Sequence, residues 1–132
     1  YFPQYGEYVP YDPAKKDQSV SDMQLVAWIL SNFSTINELK SAIAQIRVIA
    51  TDSRASTVHW RITEPAGRQV VVEIINQQVM IHENPLGVLT NSPEFTWHIT
   101  NLNNYVNLIS ESINHRQVGS LDLKAFGASL IS

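Results

Sequence analysis

Val70-Val71-Val72-Glu73-Ile74-Ile75-Asn76-Gln77-Gln78-Val79-Met80-Ile81 holds two short, strongly apolar runs on either side of a polar pair. β-Branched side chains suit a pleated, half-buried surface, and Asn76-Gln77 can turn the chain. Just upstream, Val58, Trp60 and Ile62 alternate with His59 and Arg61, the period of a strand with one buried face. Pro65-Ala66-Gly67 joins that strand to the next. The three runs predict an antiparallel meander. Val70–Ile75 is apolar toward both faces, so the sheet is expected to be covered on both sides.

Two helices are expected ahead of the meander. Ser21-Asp22-Met23-Gln24 and Thr35-Ile36-Asn37-Glu38 both have the spacing of a capping box, a hydroxyl at the first position and a Gln or Glu three residues on. Behind the first, Leu25, Trp28, Ile29 and Phe33 share a face; behind the second, Ile36, Leu39, Ile43 and Ile46 do. The pair is antiparallel or bent, lying on one layer. Residues 1–18 read as loop, broken by Pro3, Gly6, Pro10 and Pro13. Tyr1, Tyr5, Tyr8 and Tyr11 in that loop admit two readings, packing over the core or the aromatic wall of a cleft. Helices followed by strands predict an α+β layering in one domain, with the helical pair at about 20–46 and the meander at about 56–91. A short fourth strand is expected over Gly87–Asn91. From Phe95 a helix or helical turns carry Trp97, Leu102, Tyr105, Val106 and Ile109, and residues 110–132 read as loop with weak strand content.

Composition narrows the functions. The 132 residues are 44% hydrophobic and 16% charged, a globular balance, with a net charge of −3. No basic cluster offers a surface to nucleic acid. No apolar run is long enough for a membrane-spanning helix. With no cysteine, the chain holds no disulfide, thiolate metal site or thiol nucleophile of its own. His59, His82, His98 and His115 lack metal-pair spacing and read as packed or surface residues. The aspartates are scattered, phosphate-binding glycine loops are missing, and Thr51-Asp52-Ser53-Arg54 reads as a turn.

The run Asn84-Pro85-Leu86-Gly87-Val88-Leu89-Thr90-Asn91-Ser92-Pro93 is a different matter. It ends an apolar segment on a fixed carboxamide. Asn91 either caps the following turn with its side chain or donates to a negative oxygen on a substrate.

Continued by Phe95, Trp97-His98 and Asn101-Leu102-Asn103-Asn104-Tyr105, this run resembles the choloylglycine hydrolase family, which contains conjugated bile acid hydrolases and penicillin V acylases. The likeness extends in collinear order back through Val71-Val72-Glu73, Val58-His59-Trp60, Trp28–Phe33 with Glu38-Leu39-Lys40, and Tyr1-Phe2-Pro3 with Tyr8. The resemblance implies an N-terminal-nucleophile hydrolase fold, an αββα four-layer sandwich. It implies hydrolysis of a linear amide by a cysteine at a mature N-terminus, whose own α-amine is the base, with no metal or organic cofactor. It assigns Asn91 as the carboxamide donor of the oxyanion hole and Tyr1 as the second donor, through its backbone N–H. Tyr at that position leans toward penicillin V acylase, with conjugated bile salt hydrolase as the alternative and a non-catalytic truncated relative or ligand-binding module as the rival from another class. Tyr1 and Phe2 are candidate walls for an apolar acyl group. The family's nucleophilic Cys and its neighbouring Asp and Arg belong upstream of Tyr1, and a further Arg belongs beyond the last residues. Leu123-Lys124-Ala125-Phe126-Gly127 resembles the entry to a family glycine-rich segment, from which Ala128-Ser129-Leu130 departs. The chain is therefore expected to be an internal fragment, inactive alone. The parent is expected to act on small-molecule amides as a homotetramer in the bacterial cytoplasm or periplasm.

Overall fold

The computed structural model describes residues 6–52, 54, 57–106 and 115–124. In chain order these form a 3-10 helix (Pro13–Gln18), strand β1 (Ser19–Ser21), helix α1 (Asp22–Asn32), helix α2 (Ile36–Ile43), and strands β2 (Arg47–Ile49), β3 (Trp60–Thr63), β4 (Gln69–Ile75) and β5 (Gln78–Glu83). Helix α3 (Phe95–Leu102), a 3-10 turn (Asn103–Tyr105) and a hairpin of β6 (His115–Val118) and β7 (Leu121–Lys124) follow.

The expected meander forms as an antiparallel sheet in the order β3-β4-β5. Trp60 pairs with Val72, and Ile75 with Gln78. Asn76 and Gln77 both adopt positive φ, 49° and 64°, the handedness that matches the twist of a two-residue hairpin. The register sorts side chains cleanly. Val72 and Ile74 are buried in one cluster with Leu25 and Ile29 of α1 and Leu39 and Ile43 of α2, with Trp60, Ile62, Val79 and Ile81 packed against it. The alternate residues Val71 and Glu73 face the other way, with His82 opposite Val71 and Met80 opposite Glu73. Both faces of β4 are buried, as a strand apolar toward both sides requires.

Each helix is started by a specific acceptor. The Ser21 hydroxyl accepts from Gln24 N–H at 3.3 Å, and Thr35 and Glu38 form a complete capping box. Glu64, in the turn after β3, adds a bond from outside: its carboxylate accepts the Ile36 N–H at 2.9 Å. The buried Asp22 ties α1 to the segment after β2, accepting from both the Thr51 N–H at 3.0 Å and its hydroxyl at 2.6 Å.

The structure differs from the sequence reading in four places. The loop at 1–18 contains the 3-10 helix, opened by the Asp12 carboxylate accepting from Ala14 N–H with Pro13 fixing the first turn. Helix α2 stops at Ile43; Ile46 N–H turns back to the Ile43 carbonyl, and Arg47–Ile49 leaves to pair in parallel with Ser19–Ser21. These two short strands escaped the sequence because three residues show no period. Gly87–Asn91 is not a strand: among the described residues it pairs with no neighbouring strand, and side chains hold its carbonyls at Gly87 and Val88 instead. Finally, residues 115–124 form a hairpin, stronger strand content than expected.

Candidate functional site

The stretch from Asn84 to His98 leaves the end of β5 and lays the start of α3 over the Glu73 face of the sheet. Asn84 is buried; its N–H donates to the Gln69 carbonyl at 2.9 Å, and its carboxamide donates to the Val88 carbonyl at 2.8 Å. Gly87 closes a turn by donating its N–H to the Asn84 carbonyl at 3.1 Å. It sits at φ +67°, and a Cβ there would lie 3.2 Å from the Gln69 amide, so any other residue is strained. The Arg61 guanidinium, on β3, donates to the Gly87 carbonyl. Two side chains therefore strap down the segment that leads into Asn91.

On the far side, Phe95 is the anchor. Its backbone N–H lies 3.0 and 3.1 Å from the two carboxylate oxygens of Glu73, which is fully buried on the central strand. The Phe95 ring stacks on His82, centroids 5.7 Å apart. His59 Nδ1 and His82 Nε2 stand 3.5 and 3.8 Å from the same carboxylate. Helix α3 has no side-chain cap at Glu94; Glu73 satisfies its first orphan N–H from outside, where a negative charge also meets the positive end of the helix dipole. His98, one turn into α3, donates Nε2–H to the Pro93 carbonyl at 3.1 Å, and the Ser92–Pro93 peptide bond just before that carbonyl is cis.

Between these anchors Asn91 is exposed, and among the described residues its carboxamide makes no hydrogen bond. The turn-capping bond that spacing allowed is not formed. Its neighbours Thr90 and Leu89 line an apolar cleft of about 180 Å³, closed by Val88, Phe95, His98, Ile99, Asn101 and Leu102. An exposed carboxamide on a loop pinned at both ends, beside an apolar cleft, can donate to a substrate oxygen.

Tyr1 and Phe2, the other site residues read from the sequence, lie outside the described residues, as do Tyr5, Ser53 and Ile109. The described residues begin against β4: Gly6 bridges Ile75, and Glu7 N–H donates to the Ile74 carbonyl at 2.9 Å. Tyr8 packs on Trp60, and its hydroxyl accepts the Val58 N–H at 2.9 Å. Burial pushes its phenol up to about 12 against the opposing pull of that N–H. Tyr8 thus belongs to the packing reading of the tyrosines. Asp52 and Arg54 form a surface ion pair at 2.7 Å, in keeping with a turn.

Glu73, His59, His82, Arg61 and Asn84 were not singled out from sequence as parts of the site. One signal was available: Glu73 is a lone carboxylate among five apolar residues of a central strand, a position that demands a partner. Among the described residues no three His, Asp or Glu side chains are arranged to hold a metal ion, and both Glu73 oxygens already face the Phe95 N–H.

The full chain, residues 1–132, matches the family of linear amide C–N hydrolases called the choloylglycine hydrolase family. It is 34% identical over 130 residues to a bile salt hydrolase/transferase of Clostridium perfringens, covering 96% of this chain and 39% of that protein. It is 28% identical over 115 residues to a penicillin V acylase of Pectobacterium atrosepticum, covering 82% of this chain and 30% of that one. The crystal structure of a single-residue variant of the conjugated bile acid hydrolase from Clostridium perfringens superposes with a TM-score of 0.72 at 32% identity, over 98% of this chain and 41% of that chain. Penicillin V acylase from Agrobacterium tumefaciens superposes at 0.63 and 26% identity, over 80% and 32%. The chain thus spans about two fifths of the length of the bile salt hydrolases it matches. Its α+β arrangement, an antiparallel sheet with helices on both faces, is the one these structures share. On the full-length family match, and on a sequence and fold shared with these enzymes, the chain belongs to the choloylglycine hydrolase family of linear amide C–N hydrolases.

Proposed function

We propose that the protein to which this chain belongs hydrolyses small-molecule amides, and that the chain supplies the oxyanion hole and part of the acyl-site wall. The observation that carries the reading is Asn91: an exposed carboxamide, without a hydrogen bond among the described residues, on a loop fixed by Arg61, Asn84, Glu73 and His98. A donor held in place before the reaction stabilises the oxyanion of a tetrahedral intermediate without reorganisation. Tyr1 contributes the second donor through its backbone N–H. The segment after Tyr1 and the segment after Asn91 attach to consecutive residues of β4, Ile74 and Glu73, which supports their working as one unit. The thiol nucleophile comes from outside these 132 residues, which contain no cysteine. Tyr1 and Phe2 wall an apolar acyl group.

A penicillin V acylase-like preference follows from Tyr1. Conjugated bile salt hydrolysis is the second reading, favoured by the 34% identity to a bile salt hydrolase/transferase against 28% to a penicillin V acylase. A homotetramer is part of the same proposal. The test is turnover of penicillin V and of glycocholate by the complete gene product and its Asn91→Ala variant. Loss of one oxyanion donor lowers kcat on the order of 100–1,000-fold in a folded protein. Near-normal turnover by folded Asn91→Ala removes Asn91 from the site. A complete gene product with no cysteine to attack the amide favours the non-catalytic module instead.

A further inference from the structure

Glu73 is fully buried, sits at the middle of the central strand, and has no part in the chemistry assigned above. We propose that it is the positioning residue that sets Asn91. This rests on Asn91 being the oxyanion donor.

The geometry separates Glu73 from an ordinary buried charge. A carboxylate removed from water needs partners that satisfy it, and a single apolar side chain in its place would cost the sheet little. Here the partner is the first N–H of α3, and both oxygens converge on it at 3.0 and 3.1 Å. That N–H belongs to Phe95, four residues after Asn91, and the residue before it, Glu94, provides no side-chain cap. His59 and His82 flank the carboxylate, and His82 also stacks on the Phe95 ring, so backbone and side chain of one residue are fixed together. The other constraints on this loop differ in kind: Arg61 is exposed and holds the approach at Gly87, and His98 acts within the loop's own helix. Among the described residues, Glu73 alone ties the exit of the Asn91 loop to the interior of the sheet by hydrogen bonds. Displacement of a catalytic donor by about 1 Å is enough to lower a rate some 100-fold, so loosening this tie acts on kcat.

The experiment uses the complete gene product with penicillin V and glycocholate as substrates. Glu73→Gln keeps the size of the side chain but leaves only one carbonyl oxygen for the Phe95 N–H and turns an amide NH2 toward its neighbours. It lowers kcat by roughly 10-fold or more with little change in KM. Glu94→Asp is then added to Glu73→Gln, giving α3 a side-chain cap of its own. If Glu73 merely started the helix, activity returns, and the proposal is overturned; if it positions Asn91, activity stays low. In an Asn91→Ala background, Glu73→Gln costs less than about 3-fold further, because the donor it positions is gone. A full additional loss of about 10-fold there overturns the proposal. If Glu73→Gln does not fold, His82→Leu removes the Phe95 stack while leaving the carboxylate, and must lower kcat in the wild-type background but not in Asn91→Ala. Asn91→Ala with unchanged turnover leaves the oxyanion reading, rather than the role of Glu73, as the failure.

Discussion

At Gly87 the backbone conformation and the contact with Gln69 act together. An alanine would hold a left-handed φ of +67° and press a methyl group to 3.2 Å from the Gln69 amide. Gly87→Ala is expected to destabilise the protein by about 1–2 kcal/mol, read from the shift in urea midpoint. Because the Gly87 carbonyl accepts the Arg61 bond and Gly87 precedes Asn91 by four residues, the proposed role of Asn91 predicts that the same change in the complete gene product lowers amide turnover beyond what the stability loss explains. Asn91 itself shows the limit of reading one residue at a time. Its neighbours in sequence allow a capping bond, but the fold leaves the carboxamide exposed and, among the described residues, without one.

Among the elements, α2 is held to the sheet by charge as well as by its apolar face. Its Lys40 and Arg68, just ahead of β4, both reach Glu83 at the end of β5, Arg68 at 2.6 Å, and Arg68 also donates to Asn37 at 2.7 Å. Hydrogen bonds from Arg68, and then from Lys40, hold the Glu83 carboxyl down at about 2, against an ordinary 4.5. A carboxyl depressed in the folded state adds stability above its unfolded value and loses it as pH falls through the folded one. The contribution of Glu83 is therefore complete at neutral pH and fades between about 4.5 and 2. The cluster is half exposed, so solvent screening leaves about 0.5–1 kcal/mol of it. Glu83→Gln should cost that much in urea unfolding at pH 7, with the gap to wild type narrowing below about pH 4.5 and in high salt. Constancy of the gap down to about pH 2 would discount the cluster.

For the whole molecule, the sheet divides two environments. One face joins α1 and α2 in an apolar cluster; the other carries a carboxylate, two histidines and the start of α3. Leu39 is 1% exposed at the centre of the apolar side, and Leu39→Ala should destabilise the protein by about 2–5 kcal/mol in denaturant unfolding. Much of that apolar side is legible in short stretches of sequence. Val58–Ile81 declares its period of two, the Asn76-Gln77 turn fixes the register, and two hydroxyl caps, of which Thr35 with Glu38 forms the full capping box, mark where the helices begin. All of these are local effects, carried by neighbours within a few residues. The oxyanion role proposed for Asn91 comes from the family resemblance of its surroundings, whereas spacing alone leaves it between two roles. The partners that hold its loop emerge once the chain has folded. Glu73 lies 22 residues before Phe95, and Arg61 lies 26 before Gly87; no local period links them. They meet because closing the meander stacks alternate residues on one face, and because a carboxylate buried there must find a donor. The first free N–H of α3 is the donor that the crossing chain delivers.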